Sequence, residues 1–310
     1  MTETVSVIIC TYNRPKDLSE SLRSVLVQSV KPAEVLVVDD SSDDQSRELM
    51  AVYWPWFRVE GIELRYIRNY RDRGTTIARN IGATASIGSI IQFIDDDVVL
   101  DKHYLETILR LYHDHPDAMG AHAFIHSPVH MSRYKRFTNS IDRAFFLQCR
   151  HNDTGDVTRS FNPVVPAYLN GTIKCQWLNG CNMSCRREVF DHIGFDENLK
   201  KYAFGEDLDF SYRLWEVFPD SLYMTPNAHL VHKMSSVSRL SPEGLFALWL
   251  VNHEYLFRKN FEQTLMNRAI FRWSQFGKVF TDLLMGIKKG QTRRAIGQAA
   301  FAVKTIAGKG

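Results

Sequence analysis

Four short runs dense in β-branched residues punctuate the first hundred residues, and a helical pattern follows each of the first three. The runs are Val5–Cys10, Val35–Val38, Leu64–Ile67 and Ile90–Ile94. Between the first two, Leu18, Leu22, Val25 and Leu26 recur at helical spacing within 17–28. Residues 43–53 read as a second helix, and 74–85 as a third, entered through a glycine turn. Mostly apolar runs suit strands buried on both faces. Their alternation with helices implies an α/β fold, a mostly parallel sheet with helices on both faces. At 310 residues and 35.8 kDa the chain can bury a large core, as one domain or one with an appendage.

The strand ends carry polar groups: Thr11-Tyr12-Asn13 after the first, Asp39-Asp40 after the second, Asp95-Asp96-Asp97 after the fourth. In open parallel sheets ligands bind outside the carboxyl ends of the strands, so these groups converge on one crevice. Three carboxylates ending a core strand repel one another and lose hydration. A hard divalent cation such as Mg²⁺ or Mn²⁺ removes most of that cost and leaves positions for phosphate oxygens. The alternative is an acidic surface turn.

The next stretch, 101–171, is less legible. Residues 102–113 and 137–147 read as helices, and 151–162 as a polar loop, a lid on the acceptor side. Patterning returns at Trp177-Leu178-Asn179-Gly180-Cys181-Asn182 and at Phe204-Gly205-Glu206-Asp207-Leu208-Asp209. In the latter, a glycine precedes acids that open an amphipathic helix. Capping and the helix dipole explain Asp209 well, but explain three acids in four residues less well.

Five cysteines, Cys10, Cys149, Cys175, Cys181 and Cys185, form no CxxC pair, so neither a disulfide framework nor a zinc site is expected. The first residues lack a signal-peptide pattern and no run of 18 apolar residues occurs, so a cytoplasmic protein is expected. The net charge of +3 is uneven. From Arg258 onward 11 Lys/Arg and 2 Asp/Glu give +9, leaving −6 for the rest. Residues 242–257 and a following stretch with Leu265, Ala269, Trp273, Phe276, Phe280 and Leu284 show helical apolar stripes. Basic residues Arg268, Arg272, Lys278, Lys288, Lys289, Arg293 and Arg294 lie among or after them. Packing onto the body, a homodimer face, or peripheral contact with the inner face of a membrane all fit this pattern. A membrane surface fits the basic charge better than nucleic acid, which is not expected as a partner.

In their order, the segments Val5-Ser-Val-Ile-Ile-Cys-Thr-Tyr-Asn-Arg14, Val35-Leu-Val-Val-Asp-Asp-Ser-Ser42, Ala78-Arg-Asn-Ile-Gly-Ala83, Phe93-Ile-Asp-Asp-Asp97 and Gly205-Glu-Asp-Leu-Asp-Phe210, with a late histidine, resemble a family 2 inverting glycosyltransferase. The resemblance spans 5–232. It implies the GT-A fold, a Rossmann-like nucleotide-diphosphosugar-binding domain, here over residues 1–235; the basic, striped pattern beyond it reads as a helical extension over 236–310.

The resemblance also implies roles. Thr11, Tyr12, Asn13 and Arg14 belong to the nucleotide side, with Tyr12 against the base. Asp40 accepts a hydrogen bond from uracil or thymine, and Arg79 sits near the base or diphosphate. Asp95-Asp96-Asp97 resembles the DXD element. Asp96 lies near the ribose, Asp97 is the main ligand of Mn²⁺ or Mg²⁺, and Asp95 shapes the strand end. His232 completes the metal site, with His229 the competing choice. Asn179 and Gly180 line the donor-sugar pocket, or simply form a tight turn. Asp207 is the general base, with Glu206 the alternative. The donor is a nucleotide-sugar, either a UDP-hexose or dTDP-rhamnose. The acceptor is a glycan or lipid-linked glycan; 124–171 matches no subfamily pattern. A sugar-nucleotide pyrophosphorylase would need a glycine-rich basic loop after the first strand, which Thr11-Tyr12-Asn13-Arg14-Pro15 lacks. A non-catalytic module would be expected to have lost Asp97 or Asp207, and both are present.

Overall fold

A computed structural model describes residues 3–125, 140–147, 154–237, 240–288 and 297. The chain forms two compact units, Met1–His126 with Leu169–Arg239, and Ser127–Tyr168 with Leu240–Gly310.

The first unit opens with β1 (Val5–Thr11), α1 (Pro15–Leu26), β2 (Glu34–Asp39), α2 (Gln45–Val59), β3 (Glu63–Arg68), α3 (Thr75–Ala85) and β4 (Ile90–Asp95). The short β5 (Val98–Leu100), α4 (Tyr104–Asp114) and β6 (Gly120–Ala123) follow. After residue 168 come β7 (Ile173–Cys175), β8 (Met183–Arg186), a 3₁₀ turn (Arg187–Asp191), α5 (Glu206–Val217), β9 (Leu222–Thr225) and β10 (Leu230–His232). The main sheet has eight strands in the order β3-β2-β1-β4-β8-β6-β9-β7, while β10 pairs with β5.

β1 to β4 are parallel neighbours, and β6 is parallel to β9. β8 runs against both β4 and β6, and β7 against β9. The sheet is therefore mostly parallel, as the apolar runs imply. β1 and β2 are buried almost throughout. Each fully buried Val, Ile or Leu contributes about 1.5–3 kcal/mol, so these strands anchor the sheet. Register aligns Thr11 with Asp39 and Cys10 with Asp95, which brings the polar strand ends to one edge.

α2 runs six residues past the expected 43–53 helix. Met50, Tyr53 and Phe57 keep a buried stripe at helical spacing, and Pro55 falls on the exposed side.

The second unit contains α6 (Pro242–Asn260) and α7 (Leu265–Lys288). Ser241 Oγ accepts from Gly244 N at 3.1 Å and caps α6. Phe257 stacks on Phe271 with centroids 4.2 Å apart. His253 bridges Phe161 O at 2.9 Å and Gln275 Nε2 at 2.8 Å. The helix expected over 137–147 is described from Ser140, with 140–144 helical, and the loop expected over 151–162 is described from Thr154. Lys289, Arg293 and Arg294 lie outside the described residues.

Candidate active site

The ends of β1, β2 and β4 build one wall. β4 ends at Asp95, and Asp96 and Asp97 form the turn into β5. Asp96 turns inward. Its Oδ2 accepts from Thr11 Oγ1 at 2.8 Å and its Oδ1 from Arg14 Nη1 at 3.0 Å, with the side chain 5% exposed. Burial pushes its carboxyl up to about 7, against the pull of Arg14 and Thr11.

Asp95 and Asp97 meet His232. One ligand atom from each lies within 4.8 Å of the other two. His232 Nε2 stands 3.2 Å from Asp97 Oδ1. β10 holds it there, because His232 pairs with Val98, the residue after Asp97. Asp97 is locked further: its Oδ2 accepts from Ser235 N at 2.8 Å, and its backbone carbonyl from Lys233 N at 3.0 Å. Although burial opposes it, His232, Ser235 and Arg14 together hold the Asp97 carboxyl down to about 2. Two carboxylates and an imidazole are a donor set that suits Mn²⁺ or Mg²⁺. His229 is exposed, and its carbonyl accepts from Asp101 N.

Asp95 thus joins the cation cluster, while both Asp96 oxygens are engaged by Thr11 and Arg14. The turn between β4 and β5 separates the neighbours, bringing Asp97 to His232 and Asp96 to Thr11.

Asp40 follows β2. Its Oδ1 accepts from Asn69 Nδ2 at 2.6 Å and its Oδ2 from Gly74 N at 2.9 Å, so the two oxygens already have partners within the protein. Burial raises its pKa. Tyr12 carries the Arg73 guanidinium over its ring, 4.2 Å from the centroid. Asn13 adopts φ 54°, and its amide donates to Ser41 Oγ at 2.8 Å.

Arg79 is buried at 3% exposure. Its Nη1 donates to Glu206 Oε1 at 2.9 Å, and its Nη2 reaches Gly180 O at 2.9 Å and Asp95 Oδ1 at 3.3 Å. Gly180 in turn donates its amide to Asp207 Oδ2 at 3.0 Å. Leu208 N donates to Asp207 Oδ1 at 2.8 Å. Arg79 and Gly180 thus tie the cation cluster to the acidic start of α5.

Gly205, at φ 89°, lets the chain turn into α5, a conformation glycine tolerates best. A Cβ on Gly180 would lie 3.0 Å from Asp207 Cβ and 3.1 Å from Arg79 Nη2. Burial, with the Asp207 charge, pushes Glu206 up to about 8 against the pull of Arg79. Asn179 Oδ1 accepts from Cys181 N at 3.2 Å, the turn geometry that was the alternative reading for this segment.

Sequence reasoning passed over several supports. Asn69 and the Gly74 amide hold Asp40, and Ser235 holds Asp97. Asn80 pins the loop before α5 through Phe195 and Glu197. His122 Nδ1 accepts from Asn179 N at 3.3 Å, and burial pushes that imidazole down to about 3. Only Asn80, beside Arg79 in a quoted motif, left a signal; the others act through long-range contacts.

Residues 6–194 match the family described as Glycosyl transferase family 2. The chain belongs to that family. One relative, the glucosyl-dolichyl phosphate glucuronosyltransferase of Haloferax volcanii, is 25% identical over 237 residues, covering 74% of this chain and 69% of that protein. An uncharacterized glycosyltransferase of Rickettsia conorii is 31% identical over 143 residues, 46% of this chain, but the match covers only 22% of its own length. Among solved structures, S. aureus TarS in complex with UDP-GlcNAc aligns with a TM-score of 0.57 at 17% identity, covering 97% of this chain and 81% of that one. A mannosyltransferase from Pyrobaculum calidifontis in complex with GDP-Man and Mn²⁺ aligns with a TM-score of 0.57 at 16% identity, covering 100% and 89%. These likenesses establish the GT-A fold. As a family 2 glycosyltransferase, the chain is a nucleotide-sugar enzyme.

Proposed function

We propose that this chain is a divalent-cation-dependent, inverting glycosyltransferase. It moves a hexosyl or deoxyhexosyl group from a UDP- or dTDP-sugar to a hydroxyl of a glycan or lipid-linked glycan. The observation that carries the reading is the connected path from Asp95 through Arg79 and Gly180 to Asp207. It joins a cation-binding corner to a carboxylate suited to general base work.

Asp95, Asp97 and His232 would hold the cation, which when bound supplies Lewis-acid stabilisation of charge developing on the departing diphosphate. Asp207 takes the proton of the acceptor hydroxyl, a poor nucleophile until that proton leaves. Two amides fix the orientation of its carboxylate. Glu206 suits this role less well, because Arg79 engages its carboxylate. A single displacement with Asp207 as base inverts the anomeric centre. Tyr12, Asn13, Asp40 and Arg73 form the nucleotide side; Asn69 and the Gly74 amide preset the Asp40 carboxylate for a base. We assign these roles to residues 1–235, with 236–310 as a helical extension. The glucosyl-dolichyl phosphate in the Haloferax relative's name supports a lipid-linked acceptor.

The test is incubation with Mn²⁺ and a panel of nucleotide-sugars, following nucleoside diphosphate release. Slow cation-dependent hydrolysis of one UDP- or dTDP-sugar supports the reading and names the sugar. Pyrophosphate release from a nucleoside triphosphate and a sugar phosphate would instead favour a pyrophosphorylase.

A further inference from the structure

The two compact units carry opposite charge. Residues 1–126 and 169–239 hold 21 Lys/Arg and 28 Asp/Glu, a balance of 21 − 28 = −7. Residues 127–168 and 240–310 hold 17 Lys/Arg and 7 Asp/Glu, a balance of 17 − 7 = +10. The whole-chain +3 conceals a strongly cationic second unit.

Among the described residues, that unit also leaves much of one helix face exposed. On α7, Leu265 is 85% exposed, Met266 61%, Trp273 48%, Phe276 57%, Phe280 39% and Leu284 38%. At 3.6 residues per turn these positions fall within an arc of about 100° and run for about 28 Å. The opposite side of α7 is buried through Phe271, Ser274 and Gln275. Phe145 and Ala144 pack against part of the stripe. A Cβ on Gly277 would collide with the Phe145 ring, so Phe145 rests directly on the helix backbone. The Phe145 ring lies 4.7 Å from Trp273 and 6.0 Å from both Phe276 and Phe280. Trp273 Nε1 donates to Ala144 O at 2.7 Å, which fixes the indole while leaving half of it open.

We propose that this face of α7 is a docking surface for an anionic lipid bilayer, lying flat in the interface. Charge decides among occupants. A second copy would bring +10 against +10, whereas an anionic headgroup layer attracts the unit and its aromatic stripe enters the acyl boundary. The chain from Lys288 to Gly310 continues this bias with six Lys/Arg and no Asp/Glu. No described helix is long and apolar enough to cross a membrane, so the contact is peripheral. This inference does not depend on the transferase reading, since it concerns a different unit and different residues.

The test is flotation of the full chain with two sets of vesicles, phosphatidylcholine alone and phosphatidylcholine with phosphatidylglycerol in a three-to-one ratio. The protein should float with the anionic vesicles, stay behind with the neutral ones, and lose binding as salt rises. The double change Phe276→Ser and Phe280→Ser should weaken flotation by at least about ten-fold. The charge change Arg268→Glu, at an exposed position, should weaken it by about five-fold or more with the helical circular dichroism unchanged. Equal flotation with both vesicles, or none with either, would overturn the proposal. So would a wild-type dimer in sedimentation that the double change converts to a monomer without altering flotation.

Discussion

Arg79 Nη1 lies 2.9 Å from Glu206 Oε1, joining α3 to the first turn of α5 across 127 positions of sequence. The same guanidinium reaches Asp95 and Gly180 O. An arginine in this position is a positioning residue: it links the Glu206 and Asp95 carboxyls and holds the turn that carries the Asp207 partner. Arg79→Ala should cost about 3–5 kcal/mol in chemical denaturation, because it leaves these groups and the Gly180 carbonyl without their buried partner. Arg79→Lys should recover only part of this, since an ammonium cannot fork toward three acceptors in one plane. A wild-type denaturation midpoint in Arg79→Ala would contradict the assignment.

Gly180 faces Arg79 and Asp207 at near-contact distance. Gly180→Ala should push Asp207 off its alignment. We expect kcat to fall by about 100-fold with the donor KM changed only a few-fold. Steady-state kinetics with donor and acceptor varied separately checks this; a pure KM effect would instead make the turn a donor-binding element.

The cation cluster makes a separable prediction. Asp97→Asn and His232→Ala should each weaken Mn²⁺ binding by about 10–100-fold or more by calorimetry. His229→Ala should leave it unchanged. Chelation should abolish donor turnover, and added Mn²⁺ should restore it.

Glu206 gives stability a pH dependence. In the folded chain its carboxyl holds a proton up to about 8, against an ordinary value of 4.5. The folded state therefore binds more protons than the unfolded state between those values. Its stabilising contribution is full below about pH 4.5 and is lost as pH rises toward 8. Asp96, pushed up to about 7, acts with the same sign; Asp97, held down to about 2, acts oppositely and only in acid. Denaturation midpoints at pH 5 and pH 9 should differ less in Glu206→Gln than in wild type, a tenfold change in proton affinity on folding being worth about 1.4 kcal/mol. Equal differences in the two proteins would remove Glu206 from this account.

The parallel half of the sheet was legible because β1, β2 and β4 are buried on both faces and read as largely apolar runs. The crevice was legible because Thr11, Asp39 and Asp95 end adjacent strands. The second half was harder. β6 is Gly-Ala-His-Ala, with no β-branched residue, and β7 and β8 are three and four residues long. Tertiary pairing, not local propensity, makes them strands. Within the site, residue types were readable but their directions were not. The turn after β4 brings Asp96 to Thr11 and Arg14 and leaves Asp95 with Asp97. The internal ties of Arg79 were not readable, because its partners Gly180 and Glu206 lie a hundred residues or more away.

The central claim is that Asp207 removes the acceptor proton while a separate corner holds the donor. Asp207→Asn, assayed with the donor found by the panel and a competent acceptor, tests it most directly. The account predicts donor affinity within a few-fold of wild type and transfer slowed by about 10²–10⁴-fold. Transfer at the wild-type rate in Asp207→Asn would contradict it.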